Sequence, residues 1–459
     1  MLFSSVTFIY YFLPILLLIY FIVPKKLKNT ILLIFSLLFY FLGEPRYLVI
    51  LLLSCVINYI FSKLIERDKG KKIILMLAVI YNVGQLLIFK YLDFFIVNIN
   101  NVTGLGLKLY YFTLPIGISF FTFQAMAYVI DVYNKRHKSA RSLWEFMTYI
   151  SLFPQLIAGP IVRYSDVLEE FNEREHSFNN IALGIRRFII GLGKKVLIAN
   201  VFGELVREIT EVSVLSSWIK PIAYTFQIYF DFSGYSDMAI GLGLMFGFHF
   251  KENFNYPLIA SSITDFWRRW HISLSSWFRD YIYIPLGGNR VGKIKLLRNI
   301  FVVWFLTGFW HGASWNFILW GLYFAVILVI EKFIIKKYLD KTKVLKYIYS
   351  IILIIIGFLI FSVEDVNAIF SDLKNMFFVG NISLYNSEIL YLLRNYLGLF
   401  IVAIIGATPL MKVLMEKINN TKLKKGIDIL EPVFLILLLI LVTAFLVDES
   451  FNPFLCFRF

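Results

Sequence analysis

Long apolar runs recur along this chain and leave few folds open to it. They extend from Val6 to Val23, Tyr47 to Ile65, Ile73 to Val97, Tyr110 to Val132, Tyr347 to Phe361, Ile389 to Ile405 and Ile429 to Val447, with shorter or polar-interrupted runs between them. A helix crosses roughly 30 Å of hydrocarbon with about 20 residues, so each run is a candidate span. With 59% hydrophobic and 16% charged residues, the chain has too little charge to cover a soluble surface. Lipid offers no hydrogen bonds to a bare backbone, which restricts spanning segments to helices and closed barrels. The runs therefore predict an all-α, polytopic integral membrane protein with about 11 membrane segments. Residues 1 to 24 lack a basic leader region and a small-residue cleavage pattern, and read as a retained first span.

The formal charge of +15 is distributed as short clusters between apolar runs, which is a topogenic pattern and excludes nucleic acid as the natural partner. Lys25, Lys26 and Lys28, then Arg67 to Lys72, then Lys135 to Arg141 alternate with the poorly basic segment Gly43 to Pro45 and the poorly basic, Asn-rich loop Asn98 to Thr103. By the positive-inside rule the amino terminus lies outside, Lys332 to Lys346 and Lys412 to Lys425 lie inside, and Glu364 to Glu388 and the carboxy terminus lie outside. Cys55 and Cys456 have no zinc-like spacing, and nothing in the sequence pairs them.

The middle of the chain, about residues 145 to 320, is interrupted by Pro154, Gly159-Pro160, Gly191-Leu-Gly-Lys-Lys and Asp231-Phe-Ser-Gly-Tyr-Ser-Asp. Irregular polar backbone at membrane depth is tolerated where protein or a water-filled cavity surrounds it. The expectation is re-entrant or broken helices around a central cavity within one integral domain, residues 1 to 459.

Two Trp-His pairs stand in this region. Ser262 and Asp265 have capping-box spacing, and the following Phe266 to Tyr283 reads as one amphipathic helix. Trp267, Trp270, Leu274 and Trp277 or Phe278 form its apolar stripe, Arg268, Arg269, Ser276, Arg279 and Asp280 decorate the rest, and His271 lies on the border. An interfacial helix anchored by its tryptophans is the alternative reading. Twelve residues, Asn299 to Trp310, precede His311. They cover roughly 18 Å, which puts His311 near mid-depth. Gly308, Gly312 and Ala313 allow close backbone approach, and Ser314 and Asn316 are polar company. A histidine there is either functional or the satisfier of a buried carbonyl. The two histidines are 40 residues apart, compatible with two helices lining one cavity. No third ligand accompanies them, so no metal is expected.

These blocks, Phe266-Trp-Arg-Arg-Trp-His-Ile-Ser-Leu-Ser-Ser-Trp-Phe-Arg-Asp-Tyr, Pro285-Leu-Gly-Gly-Asn-Arg and Trp310-His-Gly-Ala-Ser-Trp-Asn-Phe-Ile-Leu-Trp-Gly, resemble the signatures of the membrane-bound O-acyltransferase family. Phe153-Pro-Gln-Leu-Ile-Ala-Gly-Pro-Ile-Val-Arg and Gln227-Ile-Tyr-Phe-Asp-Phe-Ser-Gly-Tyr-Ser-Asp-Met-Ala resemble its bacterial branch, which O-acetylates alginate and other polysaccharides. The resemblance implies His311 as catalytic histidine and His271 as its second. A neutral imidazole can take the proton of an attacking hydroxyl or thiol. It also implies the cytoplasmic membrane of a bacterium, a cytoplasmic thioester donor such as acetyl-CoA or an acylated carrier, no tightly bound cofactor, and a polysaccharide acceptor outside. A partner transferase of SGNH-hydrolase type is implied there too.

The candidate substrate-binding residues are Asp231, Asp237, Trp310, Asn316, Arg268, Arg269 and Arg279. Arg268, Arg269, Arg290, Lys293 and Lys295 either hold donor phosphates or form an ordinary cytoplasmic loop. Asp231 and Asp237 either orient partners of the reaction or make structural ion pairs. The tail Asn452-Pro-Phe-Leu-Cys-Phe-Arg-Phe459 resembles an aromatic motif in which a tyrosine occupies the place of Cys456. Cys456 is then either an acyl relay, as a strong nucleophile, or a small apolar filler. D-alanyl transfer to teichoic acid and membrane transport are the alternative functions.

Overall fold

A computed structural model describes residues 1–156, 159–419, 421–448 and 455. Helices make up the regular structure of these residues. Seven are long and apolar enough to cross a membrane: Lys25–Gly43, Pro45–Glu66, Lys71–Thr103, Trp315–Leu339, Leu345–Ser362, Ser387–Gly406 and Lys424–Asp448. Phe8–Ile22 and Ile118–Tyr133 are shorter apolar helices. The protein is thus all-α and polytopic, as the runs require.

Two boundaries differ from the sequence reading. The run from Tyr110 forms no helix until Ile118, because Pro115 and Gly117, at φ 74°, interrupt it. The segment before it is tied down by Asp93, whose carboxylate accepts the Tyr110 and Tyr111 N–H groups at 2.8 and 2.7 Å. Asn98 to Thr103, read as a loop, instead completes the preceding helix. Asn98 and Thr103 turn their side chains onto carbonyls one turn back, at 2.7 Å each, and Gly104 at φ 70° ends it.

The described residues fall into two compact units. One comprises Met1–Phe188 and Tyr235–Lys251. It is packed around aromatic rings: Phe3 meets Phe8 at 5.0 Å and Tyr235 at 4.7 Å, and Phe12 meets Phe153 at 5.8 Å. Lipid tails are as apolar as these side chains, so close packing rather than water exclusion holds such helices together. Within the same unit Asn58 and Asn82 exchange amide hydrogen bonds at 3.2 and 2.6 Å, a polar clasp between two spans.

The second unit comprises Ile189–Gly234 and Glu252–Leu455, and it contains both Trp-His pairs. Its central feature is the helical hairpin Lys293–His311 and Trp315–Ile330. A Cβ on Gly308 would lie 2.3 Å from the Phe317 carbonyl oxygen, and one on Gly321 would lie 2.3 Å from that of Trp304. Only glycine fits at either place, and the two helices cross backbone to backbone. The turn before the hairpin is folded onto its first helix by Asn299, whose amide donates to the Leu286 and Gly288 carbonyls at 3.2 and 3.1 Å.

Candidate active site

The amphipathic stretch starts where its capping residues place it. Ser262 Oγ accepts from Asp265 N–H at 3.0 Å and Asp265 accepts from Ser261 N–H at 3.1 Å. The buried Glu331, from the segment after the hairpin, accepts the Ile263 N–H, the Thr264 N–H at 2.9 Å and the Thr264 hydroxyl at 2.7 Å. An anion on the first N–H groups of a helix satisfies orphan donors and opposes the helix dipole.

The helix does not run on to Tyr283. It stops at Arg269, restarts at Ile272, and His271 between them adopts φ 44° and ψ 55°. The cause is a competing set of partners. In a continuous helix Ile272 and Ser273 N–H would bond to Arg268 and Arg269 carbonyls. Instead Ile272 N–H donates to the Asn253 carbonyl at 3.0 Å, Ser273 N–H to Asn253 Oδ1 at 3.1 Å, and the Arg269 carbonyl accepts Asn255 N–H at 2.9 Å. The Asn253 to Asn255 segment takes the bonds the helix needs. Histidine is among the residues that enter the left-handed region most readily, so the break is located at the least costly position.

His271 is consequently not on a border between two faces but 1% exposed. Its Nδ1 faces Asn253 Oδ1 at 3.2 Å, and its ring meets the Phe232 ring at 4.6 Å and Trp310 at 6.2 Å. Burial lowers its pKa to about 3, so the ring is neutral near pH 7. The flanking Trp267, Trp270, Leu274 and Trp277 are buried in the protein, as an apolar stripe requires, rather than lying out as interfacial anchors.

His311 ends the Lys293–His311 helix and is half-buried. That helix starts six residues before Asn299, so the twelve-residue count understated its length. Trp310, Trp320 and Phe361 stand nearly perpendicular to the imidazole at 5.0, 5.0 and 5.2 Å. The buried Asn316 donates to the Phe361 carbonyl at 3.0 Å and the Ile360 carbonyl at 3.5 Å, tying down the segment whose Phe361 ring walls His311. Trp310 touches both imidazoles, so one indole bridges the two histidines.

The remaining candidates are more dispersed. Asp231 is buried against Lys195 at 2.5 Å, and its other oxygen accepts the Leu455 N–H at 2.9 Å. Asp237 belongs to the other unit, where Arg187 donates from Nε at 3.1 Å and Nη2 at 2.9 Å. Both carboxylates thus stand in ion pairs. Arg269 pairs with Asp265 at 2.9 Å and Arg279 with Asp280 at 2.7 Å, while Arg268, Arg290, Lys293 and Lys295 are exposed. Cys456 lies outside the described residues.

Sequence reasoning passed over Asn253, Glu331 and Lys195. Lys195 was signalled, as a lysine inside the Gly-Leu-Gly-Lys-Lys interruption; Glu331 was a lone acid between an apolar run and Lys332. Asn253, in a short loop, carries no pattern by which to find it.

A family model described as MBOAT, membrane-bound O-acyltransferase family, matches residues 120–370. The chain is 40% identical over 393 residues to the probable alginate O-acetylase AlgI of Azotobacter vinelandii, covering 83% of this chain and 79% of that protein. It is 35% identical over 489 residues to the peptidoglycan O-acetyltransferase of Helicobacter pylori, covering 98% and 90%. With the teichoic acid D-alanyltransferase of Bacillus subtilis it shares 30% identity over 270 residues, 54% of this chain and 68% of that one.

Proposed function

We propose that this chain, which belongs to the membrane-bound O-acyltransferase family, moves an acetyl group from a cytoplasmic thioester donor toward hydroxyls of a cell-envelope or exported polysaccharide. It is a multi-pass membrane O-acyltransferase. Acetyl is favoured over D-alanyl because the relatives named for O-acetylation match at higher identity and over more of the chain.

The observation that carries the mechanism is the meeting of both histidines on Trp310. His311 takes the proton from the attacking hydroxyl or thiol as that atom bonds to the thioester carbonyl carbon. The carbon–sulfur bond breaks, and the departing thiolate takes a proton. Aromatic walls around His311 exclude water from the reacting atoms. His271 accepts a hydrogen bond from the substrate. The exposed Arg268, Arg290, Lys293 and Lys295 form the donor face, which the positive-inside pattern puts on the cytoplasmic side. Acetyl-CoA or an acylated carrier is the donor. Cys456 holds the acyl group as a thioester near the outer face before a partner transferase of SGNH-hydrolase type passes it on.

The test is transfer of labelled acetyl groups by membranes containing the enzyme, supplied with acetyl-CoA or acetylated carrier. His311→Ala is expected to lose about 10²- to 10⁴-fold in rate, the usual contribution of a general base, while keeping its size-exclusion profile. Unchanged transfer by that variant, or transfer of D-alanine in place of acetyl by the wild type, overturns the reading.

A further inference from the structure

We infer that Asn253 is a positioning residue that fixes which nitrogen of His271 is presented to the substrate. The inference rests on the proposed role of His271 and adds the device that makes that role possible. Asn253 is fully buried, and its Oδ1 is an acceptor for Ser273 N–H at 3.1 Å and Ser273 Oγ–H at 2.9 Å. The backbone donor settles the amide's orientation, since the reverse placement would set an NH₂ group against an N–H. What faces His271 Nδ1 at 3.2 Å is therefore an oxygen without a proton, and Nδ1 must carry the hydrogen.

The other nitrogen follows by difference. In the neutral ring Nε2 holds the lone pair, and among the described residues it is buried with no hydrogen-bond partner. A buried acceptor left without a donor is costly in a native protein, and such atoms mark places where a ligand or water supplies the bond. Among the described residues, the groups placed against the ring are Asn253, Ser273, Phe232 and Trp310, none of which titrates near neutrality. The Phe232 and Trp310 rings wall the imidazole. The ring is held through one nitrogen so that the other points its lone pair toward a hydroxyl or thiol donor. Asn253 also accepts the Ile272 N–H, so the residue that breaks the helix is the one that aims the imidazole.

Nitrogen NMR of the full-length protein, ¹⁵N-labelled at histidine, decides the matter without reference to activity. His271 is assigned by the signal lost in His271→Asn. The expected spectrum has His271 protonated at Nδ1 and bare at Nε2, and Asn253→Leu shifts the proton to a mixture of the two nitrogens. Asn253→Asp is expected to keep the Nδ1–H form. Its carboxylate also stabilises the imidazolium, so the acid limb of the pH–rate profile moves to higher pH. Loss of a partner that orients a functional imidazole commonly costs 10- to 100-fold. Asn253→Leu should lose that in kcat/KM, because the substrate contact at Nε2 is made only by the Nδ1–H tautomer. An Nε2–H tautomer in the wild type, or an unchanged tautomer in Asn253→Leu, overturns the inference. Those results leave the His311→Ala assay free to succeed, and failure of that assay leaves the tautomer assignment standing.

Discussion

The same dipeptide appears twice in one unit and is used in opposite ways. At Trp270-His271 the backbone is broken and the imidazole buried, held through one nitrogen by a loop asparagine. At Trp310-His311 the backbone is helical to its last residue, and the half-buried imidazole is walled by rings. A hydrogen bond to a loop asparagine holds the first histidine, and close-packed rings wall the second. The two also depend on different neighbours. His271 relies on Asn253 and on the helix start that Glu331 caps, whereas His311 relies on a glycine-lined helix crossing and on Asn316 holding Phe361.

The strongest way to break the packed half without touching its chemistry is Gly308→Leu. Even the first carbon of the new side chain would lie 2.3 Å from the Phe317 carbonyl oxygen, so the hairpin must open. Overpacking of a tight core costs about 1–3 kcal/mol for a few added methylenes. A backbone contact leaves nothing flexible to yield, so the expected outcome is loss of the folded protein. Detergent-solubilised Gly308→Leu should aggregate on size exclusion, and Gly308→Ala should unfold at a markedly lower temperature. Displacing a catalytic group by about 1 Å is enough for a 10²-fold loss, so residual folded Gly308→Ala should be nearly inactive. A stable, active Gly308→Leu would mean that packing does not position His311.

How much of this was legible follows the same division. The packed half was readable: Gly308, Gly312 and the apolar runs announce close helices in one dimension, since small residues at helical spacing have few other uses. The capping residues Ser262 and Asp265 were equally plain. The break at His271 was not, because periodicity through Trp267, Leu274 and Trp277 is helical on both sides of it. The interruption comes from Asn253, about 20 residues upstream, which wins the backbone donors by tertiary contact. Asp231 and Asp237 show the same limit. They were read together, as orienting groups or as structural ion pairs, and each stands in an ion pair of a different unit, with Lys195 and Arg187. Spacing along a helix cannot tell which partner will be opposite each side chain.

The hydrogen-bonded half can be separated into backbone and chemistry by two substitutions at one position. Asparagine also adopts the left-handed conformation, so His271→Asn should fold with nearly wild-type stability and lose activity by about 10²-fold. A β-branched residue is strongly disfavoured at φ 44°, and His271→Val should lose activity and also about 1–3 kcal/mol of stability. Thermal unfolding together with acetyl transfer distinguishes them. Should both variants melt alike, the left-handed break would carry no strain and its placement at His271 would need another cause.

The smallest effect sharpens the comparison from outside both histidines. Arg268 is exposed at the end of the helix before the break, one residue from Arg269, which Asp265 already engages at 2.9 Å. A half-buried i,i+4 helix pair such as Asp265 and Arg269 is worth about 0.3–0.5 kcal/mol, so Arg269→Gln should act weakly and through stability. Among the described residues Arg268 is in no ion pair, which leaves its exposed head group to a donor phosphate, and its removal should act on binding. Arg268→Gln is therefore expected to raise the donor KM about two- to fivefold at low salt, with kcat unchanged, as loss of a solvent-screened charge contact requires. Raising ionic strength to 0.5 M should erase the difference, because screening then operates over roughly 4–5 Å. A salt-independent fall in kcat would place Arg268 with the imidazoles, as part of the geometry that the break at His271 creates, and would remove it from the donor face.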